Sequence, residues 1–83
     1  MAPRAFSYEN ATVVSSVLGA DGSRQVDFVR RVDGLFSFHV QLKFEGREVW
    51  TPDPYSDSPI FDSLETAQSE AISRLPWLRA ELH

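Results

Sequence analysis

His39 and His83 are the only imidazoles in the chain, so any acid–base chemistry near neutral pH has two side chains to draw on. A histidine base needs a hydroxyl or thiol to activate. The chain has no cysteine, and none of its serines stands in a Gly-x-Ser-x-Gly elbow. A metal site would need both histidines together with carboxylates, yet His83 is the terminal residue of the sequence. Asp53, Asp57 and Asp62 follow at spacings of four and five, without the alternating oxygens, central Gly and closing Glu of a calcium loop. Turn and cap chemistry accounts for them. Gly19, Gly22, Gly34 and Gly46 are scattered one to a turn and form no phosphate cradle. The residues therefore lead to the expectation of a protein that is not an enzyme, with no cofactor and no metal.

What remains is binding chemistry on a strand. In "LFSFHVQLKF", residues 35 to 44, Phe36, Phe38, Val40, Leu42 and Phe44 alternate with Ser37, His39, Gln41 and Lys43. Strict period-two alternation predicts a β-strand with one buried and one open face. The open face also receives Asp27, Val29 and Arg31 from the preceding strand, and Glu48 and Trp50 from the following one. Arg31, Ser37, His39, Gln41, Lys43 and Trp50 form the candidate interaction face, a set suited to nucleic-acid bases or to a protein surface. A solvated face is equally an ordinary property of an antiparallel sheet, and Asp27 and Glu48 would repel phosphates. A further candidate is the exposed loop "YSDSPIF", with Tyr55 and Phe61 at its margins, where aromatics either close a core or anchor a partner.

The elements that position these residues follow from the local pattern. Residues 1–10 lack periodicity and predict a loose arm. "ATVVSSVL" (11–18) is rich in β-branched residues and predicts the first strand, closed by the turn "GADGS". "RQVDFVRR" (24–31) predicts the second. A three-residue loop, Val32-Asp33-Gly34, sets Phe28 opposite Phe38 and Val26 opposite Val40. A two-residue loop would face apolar against polar. Gly34 is then expected in the left-handed conformation of a bulged hairpin. After a turn at Glu45-Gly46, "REVWT" predicts a short fourth strand with Leu42 opposite Val49, Gln41 opposite Trp50 and a Lys43–Glu48 pair.

Residues 52–62 read as a Pro/Asp loop. Residues 63–75 read as a helix capped by Ser63 or Asp62, with Leu64, Ala67, Ala71, Ile72 and Leu75 on one stripe. Pro76 either stops this helix or opens a second short turn through 76–83, in which Trp77 and Leu78 cover the core. The expected fold is a single α+β domain over 1–83: an antiparallel three- to four-stranded β-meander (11–51) followed by one α-helix packed on its apolar face.

Composition sets the class. Hydrophobic residues at 42% and charged residues at 24% are globular values, and a chain of this size buries roughly 60% of its unfolded surface. Twelve acidic against eight basic residues give a net charge of −4, which disfavours nucleic acid as a partner, because such binding is driven by Lys and Arg. No run approaches a membrane span and the N-terminus has no secretory pattern, so a cytoplasmic protein without membrane contact is the expectation.

Three strands, then an aromatic, a Ser cap and the acidic, Ala-rich helix "FDSLETAQSEA" together resemble two families. These are the DNA-binding domain of plant ethylene-response factors and the arm-site-binding domains of phage integrases. Over residues 24–75 that resemblance implies a sheet laid into the major groove, with Arg31, Lys43 and Trp50 in the places of groove-facing residues. "WTPDPYSDSPIFDSLETAQSEAISRLPWL" is also similar to the ending of a family of small uncharacterised bacterial proteins, with its Trp-x-Pro turn and closing Leu-Pro-Trp-Leu. That second likeness brings no activity with it. The expectation from the sequence is a non-catalytic binding module whose partner is another protein or a second copy, reached through the open sheet face or an edge strand. Sequence-specific DNA binding through the sheet is the alternative.

Overall fold

Valine and phenylalanine at alternate positions drive residues 24–31 and 36–43 into neighbouring strands, because only a pleated pair puts all of them on one side. The computed structural model describes residues 3–44, 49–52 and 59–81. Within them, β1 (Ala11–Leu18), β2 (Arg24–Arg31) and β3 (Phe36–Lys43) form an antiparallel meander. Two short strands, β4 (Trp50–Pro52) and β5 (Ile60–Phe61), pair with the two ends of β3 on its far side. β2 is thus central, and β1 forms an edge.

The hairpin between β2 and β3 has the expected register, with Phe28 opposite Phe38 and Val26 opposite Val40. Its loop is closed by Arg31 N–H donating to the Leu35 carbonyl at 2.7 Å and Gly34 N–H donating to the Arg31 carbonyl at 2.9 Å. Gly34 has φ +85°, the left-handed conformation the loop demands.

The register of β4 is a correction. Lys43 lies opposite Trp50 and Leu42 opposite Thr51, two residues away from the expected pairing of Leu42 with Val49 and Gln41 with Trp50. A shift by two keeps every side chain on its face, so burial cannot choose between the registers. The shift lengthens the connection and leaves Phe44 and Val49 more than half exposed. Gly46, Glu48, Asp53, Tyr55, Asp57 and His83 lie outside the described residues, and with them the Glu45-Gly46 turn.

Two helices, one more than the expected fold names, complete the fold. α1 (Leu64–Arg74) is capped by Ser63, whose Oγ accepts from Thr66 N–H at 3.1 Å, which decides between the two cap candidates. It ends at Leu75, held in extended backbone because the ring of Pro76 excludes helical dihedrals there. Pro76 then opens the short α2 (Pro76–Glu81), the first position of a helix being where its missing N–H costs least. Ala67 and Ala71 are fully buried against β2 and β3, their small side chains letting the helix approach closely. The core joins Val26, Phe28, Phe38, Val40, Ala67, Ala71 and Leu78, with Phe61 stacked on Phe38 at 6.0 Å and Trp77 packed at the margin.

A Cβ at Gly34 would meet no atom within 4 Å, so a substitution there acts through backbone conformation alone. Gly34→Ala is expected to lower stability by about 1–2 kcal/mol in urea unfolding, with unchanged denaturant dependence. An unchanged midpoint would contradict the positive dihedral.

Candidate functional site

β2 carries the polar side chains Gln25 and Asp27 between core residues, and both are 0% exposed although they face away from the helices. A bulge in β1 arranges the neighbours. Ser15 lies opposite Phe28 and Val13 opposite Val29, so Val14 is an extra residue. The extra residue brings Ser16, opposite Asp27, and Val13, opposite the fully buried Val29, onto the same side of the sheet. Ser16 Oγ then donates to Asp27 Oδ1 at 2.7 Å, and Gln25 Nε2 donates to the same oxygen at 2.8 Å.

The second carboxylate oxygen is reached from the N-terminal arm. Tyr8 donates its hydroxyl to Asp27 Oδ2 at 2.6 Å and accepts from Gln41 Nε2 at 3.0 Å. Its ring stacks on His39, centroids 4.4 Å apart and planes 13° from parallel. Two residues earlier, Phe6 meets Trp50 edge to face at 5.7 Å. Two residues earlier again, the main chain of Arg4 is held by the side-chain amide of Gln25. Arg4 N–H donates to Gln25 Oε1 and Gln25 Nε2 donates to the Arg4 carbonyl, both at 2.9 Å. Ala5, Ser7 and Glu9 are exposed. The arm is therefore an extended segment whose alternate residues are read by the sheet.

For residues 4–8 this corrects the expectation of a loose arm, which was drawn over residues 1–10. Mixed composition in "PRAFSYEN" signals only that no ladder forms there. Side-chain recognition of a main chain leaves no periodic trace. The arm turns into β1 through a Tyr8–Ala11 bridge, with Asn10 at φ +59° and its carbonyl accepting from Val32 N–H at 3.1 Å.

Of the candidate residues, His39, Gln41 and Trp50 come together beneath the arm, with Gln41 buried and the other two half-buried. Ser37 is buried as well, but it donates to the Pro59 carbonyl at 2.6 Å and holds the approach to β5. Lys43 is half-buried at the end of β3, facing Trp50 across the strands. Arg31 is apart from the group, paired with Asp33 at 3.0 Å on the hairpin. Tyr8, Phe6, Gln25 and Ser16 join the site without having been singled out. The available signal was the pair of aromatics two residues apart in a segment of no other pattern.

Every buried side-chain polar atom among the described residues has a hydrogen-bond partner. Desolvation, followed by its hydrogen bond to Asp27, holds the Tyr8 hydroxyl far above its ordinary value, so it stays protonated as a donor. Burial lowers the pKa of His39, opposed by the nearby Asp27. Tyr8 and His39 meet plane on plane, whereas a base must meet a nucleophile through an in-plane hydrogen bond. Among the described residues no group of three His, Asp or Glu side chains could hold a metal ion. No described helix is long and apolar enough to cross a membrane. The arrangement holds the chain's own residues 4–8 against the polar face of the sheet.

Two outcomes follow from these groups. The unfolded chain takes up a proton at His39 near its ordinary value of 6.5 while the folded chain resists. Stability therefore falls as pH drops below that value, by at most about 1.4 kcal/mol per pH unit. His39→Phe, which keeps the stack, should flatten this limb in urea titrations at pH 5 to 7 by comparison with the parent, as an expected trend of roughly that size. For Tyr8 the sign is reversed, stability falling above its ordinary value of 10.0, where only the unfolded chain ionises. Tyr8→Phe should cost about 1–3 kcal/mol, since Asp27 loses a donor and Gln41 an acceptor; a neutral effect would mean that the arm is not seated.

Compared with protein-family models, curated proteins and solved structures, the chain finds no match, so the reading of the site stands on its own geometry.

Proposed function

We propose that this is a non-catalytic interaction module whose polar sheet face receives an extended polypeptide segment, held in cis by residues 4–8. The observation that carries this reading is the Gln25 amide clamping the Arg4 main chain beside a socket for the Tyr8 hydroxyl. A side-chain amide that meets both N–H and C=O of one residue recognises backbone irrespective of sequence. The Tyr8 socket and the Trp50 contact add selection for aromatics at alternate positions, the second carrying a hydroxyl. The partner in trans is accordingly a protein segment of aromatic-x-tyrosine pattern. A cytoplasmic setting accords with a cysteine-free chain.

Groove binding to DNA would require the arm to leave this face, and a net charge of −4 gives it little electrostatic help.

The test is a titration of the full chain with a fluorescent peptide corresponding to residues 3–10, read by anisotropy and by amide shifts at Gln25, His39 and Gln41. Phe6→Ala weakens the cis competitor and is expected to raise peptide affinity about five- to tenfold. A peptide with Phe at the Tyr8 position should bind more weakly. Absence of binding to Phe6→Ala at millimolar peptide would sink the reading. Salt-reversible shifts of the same amides by duplex DNA would replace it with the groove-binding one.

A further inference from the structure

The arm makes its contacts as a ligand makes them: one clamped main-chain position, one ring on Trp50, one hydroxyl in a socket. Nothing in that set requires the arm and the face to belong to the same chain. We infer that the face accepts the same segment from a second copy, so that the protein dimerises by exchanging residues 3–9 about a hinge at Glu9-Asn10. This rests on the reading that the face receives an extended segment, and it names the occupant.

The hinge is marked by its backbone. Asn10 is the one non-glycine residue with positive φ among the described residues, at +59°. Asparagine tolerates that conformation, but it is not the favoured one for an L-residue. Only this turn separates the arm from β1, and short constrained hinges favour exchange because opening relieves them while the contacts are remade in trans. The bond from Val32 N–H to the Asn10 carbonyl anchors the start of β1, so the turn can open without disturbing the sheet. Seven residues extended span roughly 23 Å. That matches the shortest extent of the molecule, 24 Å, so an opened arm reaches a neighbouring copy.

In the closed monomer the arm competes for its own site at an effective concentration of about a millimolar. The parent chain is therefore expected to exchange only as its own concentration approaches that value. Asn10→Pro cannot adopt a positive φ and disfavours the closed turn, whereas Asn10→Gly adopts it freely. The experiment is sedimentation equilibrium on the full chain and both variants. It is joined to NMR on equal mixtures of isotope-labelled and unlabelled protein, annealed near the unfolding midpoint.

Asn10→Pro should dimerise with a dissociation constant at least about tenfold below the parent's, and Asn10→Gly should remain monomeric. The mixed dimer should show contacts between the Tyr8 ring of one copy and the His39 ring of the other. A monomeric, folded Asn10→Pro, or a dimer whose Tyr8–His39 contacts are all within one copy, would overturn the exchange. If Asn10→Pro fails to fold, annealed parent protein at millimolar concentration carries the same test, and absence of intermolecular contacts there overturns it. Peptide binding by Phe6→Ala without any exchanged dimer removes this inference alone and leaves the peptide-receiving face standing.

Discussion

Asp27 has no exposed surface, and a carboxylate so placed is tolerable only while its oxygens find donors. Much of the polar side of the sheet follows from this requirement. The β1 bulge brings Ser16 opposite the carboxylate, Gln25 turns its amide to it, and Tyr8 must come from outside the sheet to reach the second oxygen. Gln25 and Gln41 are then committed on both sides, the one to Arg4 and the other to Tyr8. Removing Tyr8 takes a donor from Asp27 Oδ2 and the acceptor from Gln41 together, so the arm and the sheet share one network. Its hydrogen bonds are directional, which suits it to fixing where an extended segment lies, whereas the apolar core on the other side fixes only what is inside.

The domain is consequently covered on both faces by different physics. Towards the helices, Phe28, Phe38, Val26 and Val40 meet Ala67, Ala71 and Leu78 in a contact without polar atoms. Towards the arm, burial is shared between Val29 and the polar cluster. A domain of this size has little apolar surface to spare, and one face of its sheet is covered by the segment 4–8 rather than by a second layer of helices.

Much of the helix-side architecture was legible in the sequence, since it depends on residue type. The strands 24–31 and 36–43, their register, the left-handed Gly34 and the helix stripe from Leu64 to Leu75 all follow from where apolar side chains must go. The candidate site was legible in half. His39, Gln41 and Trp50 were visible as the polar face of an alternating pattern, but alternation cannot distinguish a wet polar face from one that is covered. Asp27 read as part of an open face for that reason. The arm was illegible because its recognition runs through a side-chain amide and two rings. The β4 register was illegible because a two-residue slip preserves the face of every side chain.

β1 has a consequence of another kind. Its eight residues, "ATVVSSVL", contain neither charge nor proline, and its outer side is paired by no described strand. Such an edge is a template for stacking chain on chain into a cross-β fibril. What stands against it is geometry: the bulge at Val14 twists the strand and breaks the flatness that in-register stacking needs. The irregularity that supplies Asp27 with a donor thus also keeps the edge from growing, and its loss would expose the chain to aggregation as well as to instability.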